Sequence, residues 1–175
     1  MTTPTIDLKQ KIRDIPDFPQ PGIVFKDIMP LLADPVTLRE TVERLADWIE
    51  PRKPDVILGA EARGFICGAT LAYKLGCGFA AARRPGKLPW KTVSATYALE
   101  YGENTLELHA DAITSGQRVL VHDDLLATGG TAQAICDLVE QLGGEIVGLA
   151  FIIELTFLEG RKQLAQYDVH SLITY

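Results

Sequence analysis

Short apolar runs alternate with helix-like segments along most of the chain. From residue 55 onward, continuous apolar runs are separated by segments in which apolar residues recur at helical spacing. The runs predict five strands, at residues 55–60, 78–82, 118–122, 146–153 and 169–173. The longer segments predict helices at 64–75 and 130–142. Because continuous apolar strands joined by helices are typical of a parallel sheet covered on both faces, we predict an α/β fold with a central parallel five-stranded sheet flanked by helices.

The first 33 residues form a segment rich in turn-forming residues. Four prolines fall between residues 15 and 30: Pro16, Pro19, Pro21 and Pro30. Because proline fixes φ and lacks a backbone donor, we predict one short helix followed by an irregular but rigid flap, an N-terminal hood over residues 1–33. Asp34-Pro35 then predicts the start of a helix, with Asp34 as its N-cap.

Residues 92–109 interrupt the alternation of strands and helices. Two β-rich runs, SATYALEY and NTLELH, lie on either side of Gly102-Glu103. They predict a polar, exposed antiparallel arm, flexible over about residues 90–110. No repeat, low-complexity tract or Gly/Ser linker accompanies the arm, so we predict a single domain over residues 1–175.

Composition and charge narrow the class of protein. The chain has 175 residues, of which 47% are hydrophobic and 23% charged, the balance of an ordinary globular protein. Its net charge of −6 weighs against general nucleic-acid binding but leaves room for a local basic patch. Three cysteines, at no metal-ligand spacing, indicate reduced thiols. With no apolar run near the ~18 residues that span a bilayer, we expect a cytoplasmic protein without membrane or nucleic-acid partners.

The most informative stretch covers residues 119–132. An apolar strand ends in Asp123 and Asp124, and a loop of small residues follows before a helix: Ala127, Thr128, Gly129, Gly130 and Thr131. Glycines let backbone N–H groups approach an anion, and the helix N-terminus adds its positive dipole end. The P-loop lysine is missing, which disfavours triphosphate chemistry. Two carboxylates beside an anion site indicate sugar hydroxyls or a divalent cation, so we predict a ribose 5-phosphate group; the alternative is an ordinary strand-to-helix turn.

Several strings resemble a known enzyme family. DDLLATGGTA at 123–132 resembles the phosphoribosyl-diphosphate (PRPP) signature of type I phosphoribosyltransferases. Further strings resemble the adenine phosphoribosyltransferase branch: DFPQPGIVFKDI at 17–28, GAEARGF at 59–65, RRPGKLP at 83–89, YALEYG at 97–102 and ELTFLEGR at 154–161. The resemblance implies the type I phosphoribosyltransferase fold and a purine-salvage reaction in which adenine and PRPP give AMP and diphosphate. It also implies a homodimer, and Mg²⁺ held mainly by substrate oxygens.

The resemblance also implies where the diphosphate of PRPP binds. It places the diphosphate on the loop at 59–65, with a cis peptide bond between Glu61 and Ala62 and a charged contact from Arg63. It assigns Arg83 and Lys87 to the diphosphate as well, with Lys87 reaching across from the partner subunit. A basic cluster of this kind raises the local concentration of an anionic substrate. The neighbouring Arg84 we expect to be a surface charge.

Adenine recognition and proton transfer fall on two other strings. The resemblance assigns proton exchange with adenine to Glu100, because the neutral base must lose a proton as its N9 attacks the ribose C1. It assigns the base pocket to Val24 and Phe25, whose side chains offer surface to a planar ring, and to the backbone near Lys26. That backbone can pair with the N1 acceptor and the 6-amino donor of adenine, which a 6-oxopurine would leave unpaired.

Two other functions remain open at this point. One is a type I phosphoribosyltransferase that uses xanthine, hypoxanthine or a pyrimidine. The other is a regulator that senses PRPP or a nucleotide without turnover; Glu100 and the arm argue against it. For His122 we expect a packed imidazole with no catalytic role, and to Trp90 we assign no role.

Overall fold

The computed structural model describes residues 6–98 and 103–175. Its backbone contacts divide the chain into two compact units, Met1–Arg44 and Leu45–Tyr175. The single domain over residues 1–175 stays a prediction. No helix in the described ranges is both long and apolar enough to cross a membrane.

The first unit is built from a small hairpin and short helices. A 3₁₀ turn at Leu8–Lys11 precedes two antiparallel strands, β1 (Arg13–Pro16) and β2 (Val24–Asp27). Helix α1 (Met29–Ala33) follows, and α2 (Pro35–Ile49) begins in this unit and continues into the next. The flap predicted as irregular therefore contains a two-stranded sheet, because Pro16 ends β1, Pro19 and Pro21 lie in the connection and Pro30 lies in α1, so both strands are free to pair.

The start of α2 agrees with its predicted cap. The Asp34 carboxylate accepts a hydrogen bond from the backbone N–H of Val36 at 2.9 Å, and Lys11 forms an ion pair with it at 2.7 Å. These two hydrogen-bonding partners lower the pKa of Asp34, Lys11 having the larger effect. A carboxylate in this position satisfies N–H groups that the first turn of a helix leaves open.

The second unit carries the predicted parallel sheet. Its elements follow one another as β3 (Val56–Ala60), α3 (Gly64–Leu75), β4 (Gly78–Ala82), β5 (Thr92–Ala98), β6 (Glu103–His109), β7 (Arg118–Leu126), α4 (Gly130–Gln141), β8 (Glu145–Glu154) and β9 (Val169–Thr174). Five strands form the sheet in the order β4-β3-β7-β8-β9, and every neighbouring pair is parallel. The predicted central sheet is confirmed.

The two faces of this sheet are covered by different elements. Leu58, Val121 and Phe151 belong to the apolar cluster that contains the buried side of α4. The intervening residues point the other way, towards α3: a Cβ added at Gly59 would lie 3.1 Å from the carbonyl oxygen of Gly64. Strand residues alternate between the faces, so continuous apolar runs supply both layers.

Strand β7 is longer than predicted. It was expected to end at 122, before the two aspartates, but it continues through Asp123 and Asp124 to Leu126. The reason is tertiary: β8 runs beside it, with Asp123 opposite Phe151 and Leu126 opposite Glu154. Hydrogen bonds to a neighbouring strand outweigh the weak strand propensity of aspartate.

The arm is the predicted antiparallel hairpin, but it is not exposed throughout. Strands β5 and β6 pair from Thr92 opposite His109 to Ala98 opposite Glu103. Leu106 and Leu108 of β6 are buried within the apolar cluster that includes α4. The alternation of leucine with polar residues gives the strand one apolar face, and that face packs on the rest of the unit.

Candidate active site

A cavity of about 500 Å³ opens where β3 and β7 end. The carboxyl ends of neighbouring parallel strands are the usual ligand sites of open α/β sheets. The walls come from the turn after β3, from the end of β7 and the loop that follows it, from the β5–β6 hairpin and from Arg84 after β4. Seven of the residues predicted to bind PRPP line it: Glu61, Ala62, Arg63, Asp123, Asp124, Ala127 and Thr131.

The turn after β3 has the predicted backbone. The Glu61–Ala62 peptide bond is cis, which confirms that expectation. Arg63 follows it, and its Nε lies 2.7 Å from Oδ2 of Asp124, which is 4% exposed. Oδ2 has no hydrogen-bond partner within the described residues, so the contact is a close ion pair without a well-aligned hydrogen bond. The pair joins the turn after β3 to the end of β7, two segments assigned to PRPP.

Glu61 holds the basic segment beside this turn. Arg83 donates from Nε to Oε2 and from Nη2 to Oε1 of Glu61, both at 3.1 Å. The backbone N–H of Arg84 donates to Oε2 at 2.9 Å. The hydrogen bonds from Arg83 hold the pKa of Glu61 below its usual value. Arg84 is exposed, as expected of a surface charge, and it also lines the cavity. Lys87 is exposed.

Asp123 carries a perturbed carboxyl group at the base of the cavity. Its Oδ1 accepts a hydrogen bond from the backbone N–H of Asp124 at 2.8 Å. Burial raises the pKa of Asp123 well above its usual value, and the neighbouring charge of Asp124 raises it further. The start of α3 comes close, since a Cβ added at Gly64 would lie 2.9 Å from Oδ1. Negative charge is therefore disfavoured at Asp123 unless hydroxyl donors or a cation compensate it.

The loop between β7 and α4 has the backbone of an anion site. Gly129 caps α4 with a φ of +90°, a conformation that favours glycine. A smaller cavity of about 70 Å³ lies against the loop and touches Thr128, Gly129, Gly130 and Thr131. All the residues predicted to hold the 5′-phosphate thus border one or both of the two cavities.

This loop rests on a second glycine that the sequence analysis did not single out. A Cβ added at Gly129 would lie 2.6 Å from the carbonyl oxygen of Gly160, and a Cβ at Gly160 would overlap the carbonyl oxygen of Ala127. The two glycines let the backbones touch. Gly160 lies in the string ELTFLEGR, so the resemblance of this string to the enzyme family could have drawn attention to it.

An ion pair fixes the segment that carries Gly160. Arg161 donates from Nε and Nη2 to the two carboxylate oxygens of Glu154 at 2.7 and 2.8 Å, and from Nη1 to the carbonyl oxygen of Val169 at 2.8 Å. Burial alone would raise the pKa of Glu154, but the Arg161 pair holds it below the usual value. Through these hydrogen bonds, Arg161 connects the end of β8 to β9 and holds the turn that contains Gly160 against the loop between β7 and α4.

Tyr97 is a further cavity residue that the sequence analysis did not assign. It lies on β5, and its hydroxyl is 2.9 Å from Oγ1 of Thr131 in the first turn of α4. Both residues line the larger cavity. The bond links the hairpin to the loop assigned to phosphate.

The remaining predicted residues lie elsewhere. Glu100 falls outside the described residues. Val24, Phe25 and Lys26 lie on β2 in the first unit, where Phe25 packs edge-to-face on Phe18 with ring centroids 5.2 Å apart. The ammonium of Lys26 is 2.7 Å from Oδ1 of Asp14. These three stay predictions.

His122 is packed inside the protein, as expected. It is fully buried, and its Nδ1 lies 2.9 Å from the carbonyl oxygen of Ala150, so this nitrogen carries the proton and donates it. Burial lowers the pKa of His122 to about 4. Trp90 is exposed, and nothing in the structure gives it a role.

Comparison with known proteins identifies the family. Residues 37–172 match the phosphoribosyl transferase domain family. The adenine phosphoribosyltransferase of Thermotoga petrophila is 56% identical over 170 residues, which cover 97% of this chain and 100% of that protein. The chain belongs to the phosphoribosyltransferase family, in its adenine branch. The resemblance found in the sequence is therefore confirmed.

Solved structures of adenine phosphoribosyltransferases share the fold. The enzyme from Thermoanaerobacter pseudethanolicus superposes with a TM-score of 0.94 at 55% identity, covering 96% of this chain and 98% of that one. The Saccharomyces cerevisiae enzyme, complexed with an imino-altritol bisphosphate and adenine, gives a TM-score of 0.89 at 40% identity, covering 94% and 96%. The predicted type I phosphoribosyltransferase fold is confirmed.

Proposed function

We propose that this phosphoribosyltransferase transfers the 5-phosphoribosyl group of PRPP to adenine, giving AMP and diphosphate. The observation that carries the proposal is that the two segments assigned to PRPP meet in one cavity. The turn with the cis peptide bond at Glu61–Ala62 and the 123–131 segment face each other there, bridged by Arg63 and Asp124. The full-length identity to adenine phosphoribosyltransferases supports the choice of base.

The 123–131 segment would hold the ribose 5-phosphate end of the substrate. The loop amides and the threonine hydroxyls at 128 and 131 would donate to the phosphate, aided by the N-terminus of α4. Asp123 and Asp124 would accept from the ribose hydroxyls. The raised pKa of Asp123 supports this assignment, because a carboxyl group that is costly to ionise gains from hydroxyl donors.

The turn after β3 would hold the diphosphate. Its backbone N–H groups and Arg63 are the donors, while Glu61 keeps the basic segment in position through Arg83. We include Arg84 with Arg83 and Lys87 in this cationic group, because Arg84 lines the cavity. Cations here would stabilise the negative charge that develops on the leaving diphosphate.

Proton transfer and base recognition are assigned to residues of the resembling strings. Glu100 would take the proton that adenine loses as its N9 bonds to the ribose C1 and diphosphate departs. A carboxylate within hydrogen-bond reach contributes about 10²–10⁴-fold to such a step. Val24, Phe25 and the backbone at Lys26 would recognise the adenine ring.

Magnesium would enter with PRPP. Among residues 6–98 and 103–175, no cluster of three or more histidine, cysteine, aspartate or glutamate side chains could hold a metal. The carboxylate oxygens of Asp123 and Asp124 nevertheless suit a nearby hard cation, whose positive charge would offset the burial and repulsion that raise the pKa of Asp123. Bound through substrate oxygens, Mg²⁺ would neutralise charge on the diphosphate.

We also propose that the protein acts as a cytoplasmic homodimer. Ile66 and Tyr73 are exposed seven residues apart on one side of α3, and Phe79 is exposed on β4 at the edge of the sheet. Such an apolar face is typical of subunit contacts. Light scattering with Tyr73→Glu tests it: the wild type should run as a dimer and the variant as a monomer, and a monomeric wild type would contradict the dimer.

The reaction is tested by assaying purified protein with PRPP, Mg²⁺ and each nucleobase in turn. Adenine should give AMP, while hypoxanthine, xanthine and the pyrimidines should give at most trace product. Turnover with another base instead of adenine would show that the protein is a phosphoribosyltransferase of a different base specificity. Binding of PRPP or AMP without turnover of any base would indicate a regulator that senses these ligands.

A further inference from the structure

The hydrogen bond between Tyr97 and Thr131 joins two parts of the site that are 34 residues apart in sequence. Tyr97 lies on β5 with its ring packed against the apolar cluster, which fixes where its hydroxyl can reach. Thr131 stands in the first turn of α4, beside the glycines of the loop. Their oxygens are 2.9 Å apart, and either can be the donor.

An anion at the loop decides which of the two donates. A hydroxyl has one proton, and a phosphate oxygen without its own proton can only accept. When Thr131 donates to phosphate, its oxygen is left to accept, so the Tyr97 O–H must donate to it. Hydrogen bonds arranged head to tail in this way strengthen one another.

We propose that Tyr97 is a positioning residue of the 5′-phosphate site: its hydroxyl donates to Oγ1 of Thr131 and so directs the threonine proton at the phosphate. This inference rests on the proposed function, because Thr131 must face the 5′-phosphate. It adds a residue from the hairpin to a site otherwise built by β7 and α4. In sequence, β5 leads directly to Glu100, so one bond connects the strand before that residue with the phosphate loop.

The test compares Tyr97→Phe, Thr131→Val and the double variant by calorimetry with AMP, ribose 5-phosphate and adenine. Tyr97→Phe should weaken both phosphate ligands about 3- to 10-fold, the loss of one hydrogen bond, and leave adenine binding unchanged. In kinetics the KM for PRPP should rise by a similar factor while kcat stays within about twofold. The double variant should bind like Thr131→Val alone, because Tyr97 then has no hydroxyl to direct.

Two controls separate direction of the proton from general structure. Tyr167→Phe removes another tyrosine hydroxyl, which donates a hydrogen bond of 2.8 Å to Glu140. Neither Tyr167 nor Glu140 lines either of the two cavities described above, so this variant should leave phosphate affinity unchanged. Thr131→Ser keeps the hydroxyl, so Tyr97→Phe should cost as much in that background as in the wild type. Thermal melts establish that each variant is folded.

Unchanged affinity of Tyr97→Phe for AMP and ribose 5-phosphate would overturn the inference. So would losses that add independently in the double variant, or an equal loss in Tyr167→Phe. These results would leave the proposed function intact, since the wild type would still bind both ligands and turn over adenine. A wild type that binds neither phosphate ligand would overturn the proposed function and this inference together.

Discussion

The buried imidazole of His122 makes the stability of the protein depend on pH. Its Nδ1 donates to Ala150, and its Nε2 has no hydrogen-bond partner within the described residues. Protonation would place a charge and an unpaired donor at Nε2, away from water. The pKa is accordingly lowered from 6.5 to about 4 by burial.

The sign and size of the effect follow from these two values. At pH 7 the imidazole is neutral in the folded and unfolded chains, so its contribution to stability is fully present. As the pH falls below the unfolded pKa of 6.5, His122 is protonated in the unfolded chain but not in the folded one. The free energy of unfolding therefore decreases until the pH reaches the folded pKa of about 4. Linkage gives a loss of about 2 kcal/mol between pH 7 and pH 5, and about 3 kcal/mol over the whole range.

Urea unfolding of the wild type and of His122→Leu at pH 7 and pH 5 measures this loss. The leucine variant has no imidazole to protonate, so its stability should fall by about 2 kcal/mol less than that of the wild type. The carboxyl groups titrate in both proteins and cancel in the comparison. Equal losses in the two proteins would refute the reasoning, and so would a wild type that becomes more stable at pH 5.

Three further substitutions test the assigned roles. Glu100→Gln should lower kcat about 10²–10⁴-fold and leave AMP affinity and the melting temperature unchanged; wild-type turnover would remove Glu100 from the mechanism. Asp124→Ala should weaken AMP and ribose 5-phosphate more than adenine in calorimetry, whereas equal losses would indicate general damage. Gly160→Ala should raise the KM for PRPP about tenfold or more, because its Cβ would push the carbonyl of Ala127 away, and an unaltered KM would show that the loop does not depend on this contact.

The central strands of the sheet could be predicted because β3 and β8 are largely continuous apolar runs, and such runs indicate burial on both faces. The end of β7 could not. Asp123 and Asp124 have low strand propensity, and only the length of β8 beside them, up to Glu154, keeps them in the sheet. Strand ends depend on the neighbouring strand, which no local pattern contains.

Burial of the hairpin could have been predicted from its sequence. In TLELH, leucines alternate with polar residues, and this alternation is the pattern of a strand with one buried face. The polar residues and the central glycine led instead to an exposed arm. The spacing of Leu106 and Leu108 predicts one buried face, and both side chains are buried.

Seven of the residues predicted to bind PRPP line the cavity, but the contacts among the cavity residues could not be predicted. The resemblance named Arg63 and Asp124, and the expected cis peptide bond is present. Their ion pair, the seat of the phosphate loop on Gly160 and the bond from Tyr97 to Thr131 all join residues distant in sequence. Such contacts depend on how the elements pack, so a motif of adjacent residues does not encode them.

The buried base of the hairpin decides where this protein can be recombined with its relatives. A chimaera joined at the start of β5 and the end of β6 would replace the whole hairpin, including Leu106 and Leu108. The strand from the relative would then have to pack against α4 in place of these leucines. Junctions inside the paired strands, beyond Tyr97 on one side and before Asn104 on the other, would leave that core native. Junctions at these positions therefore keep Leu106 and Leu108 in the chain that supplies α4.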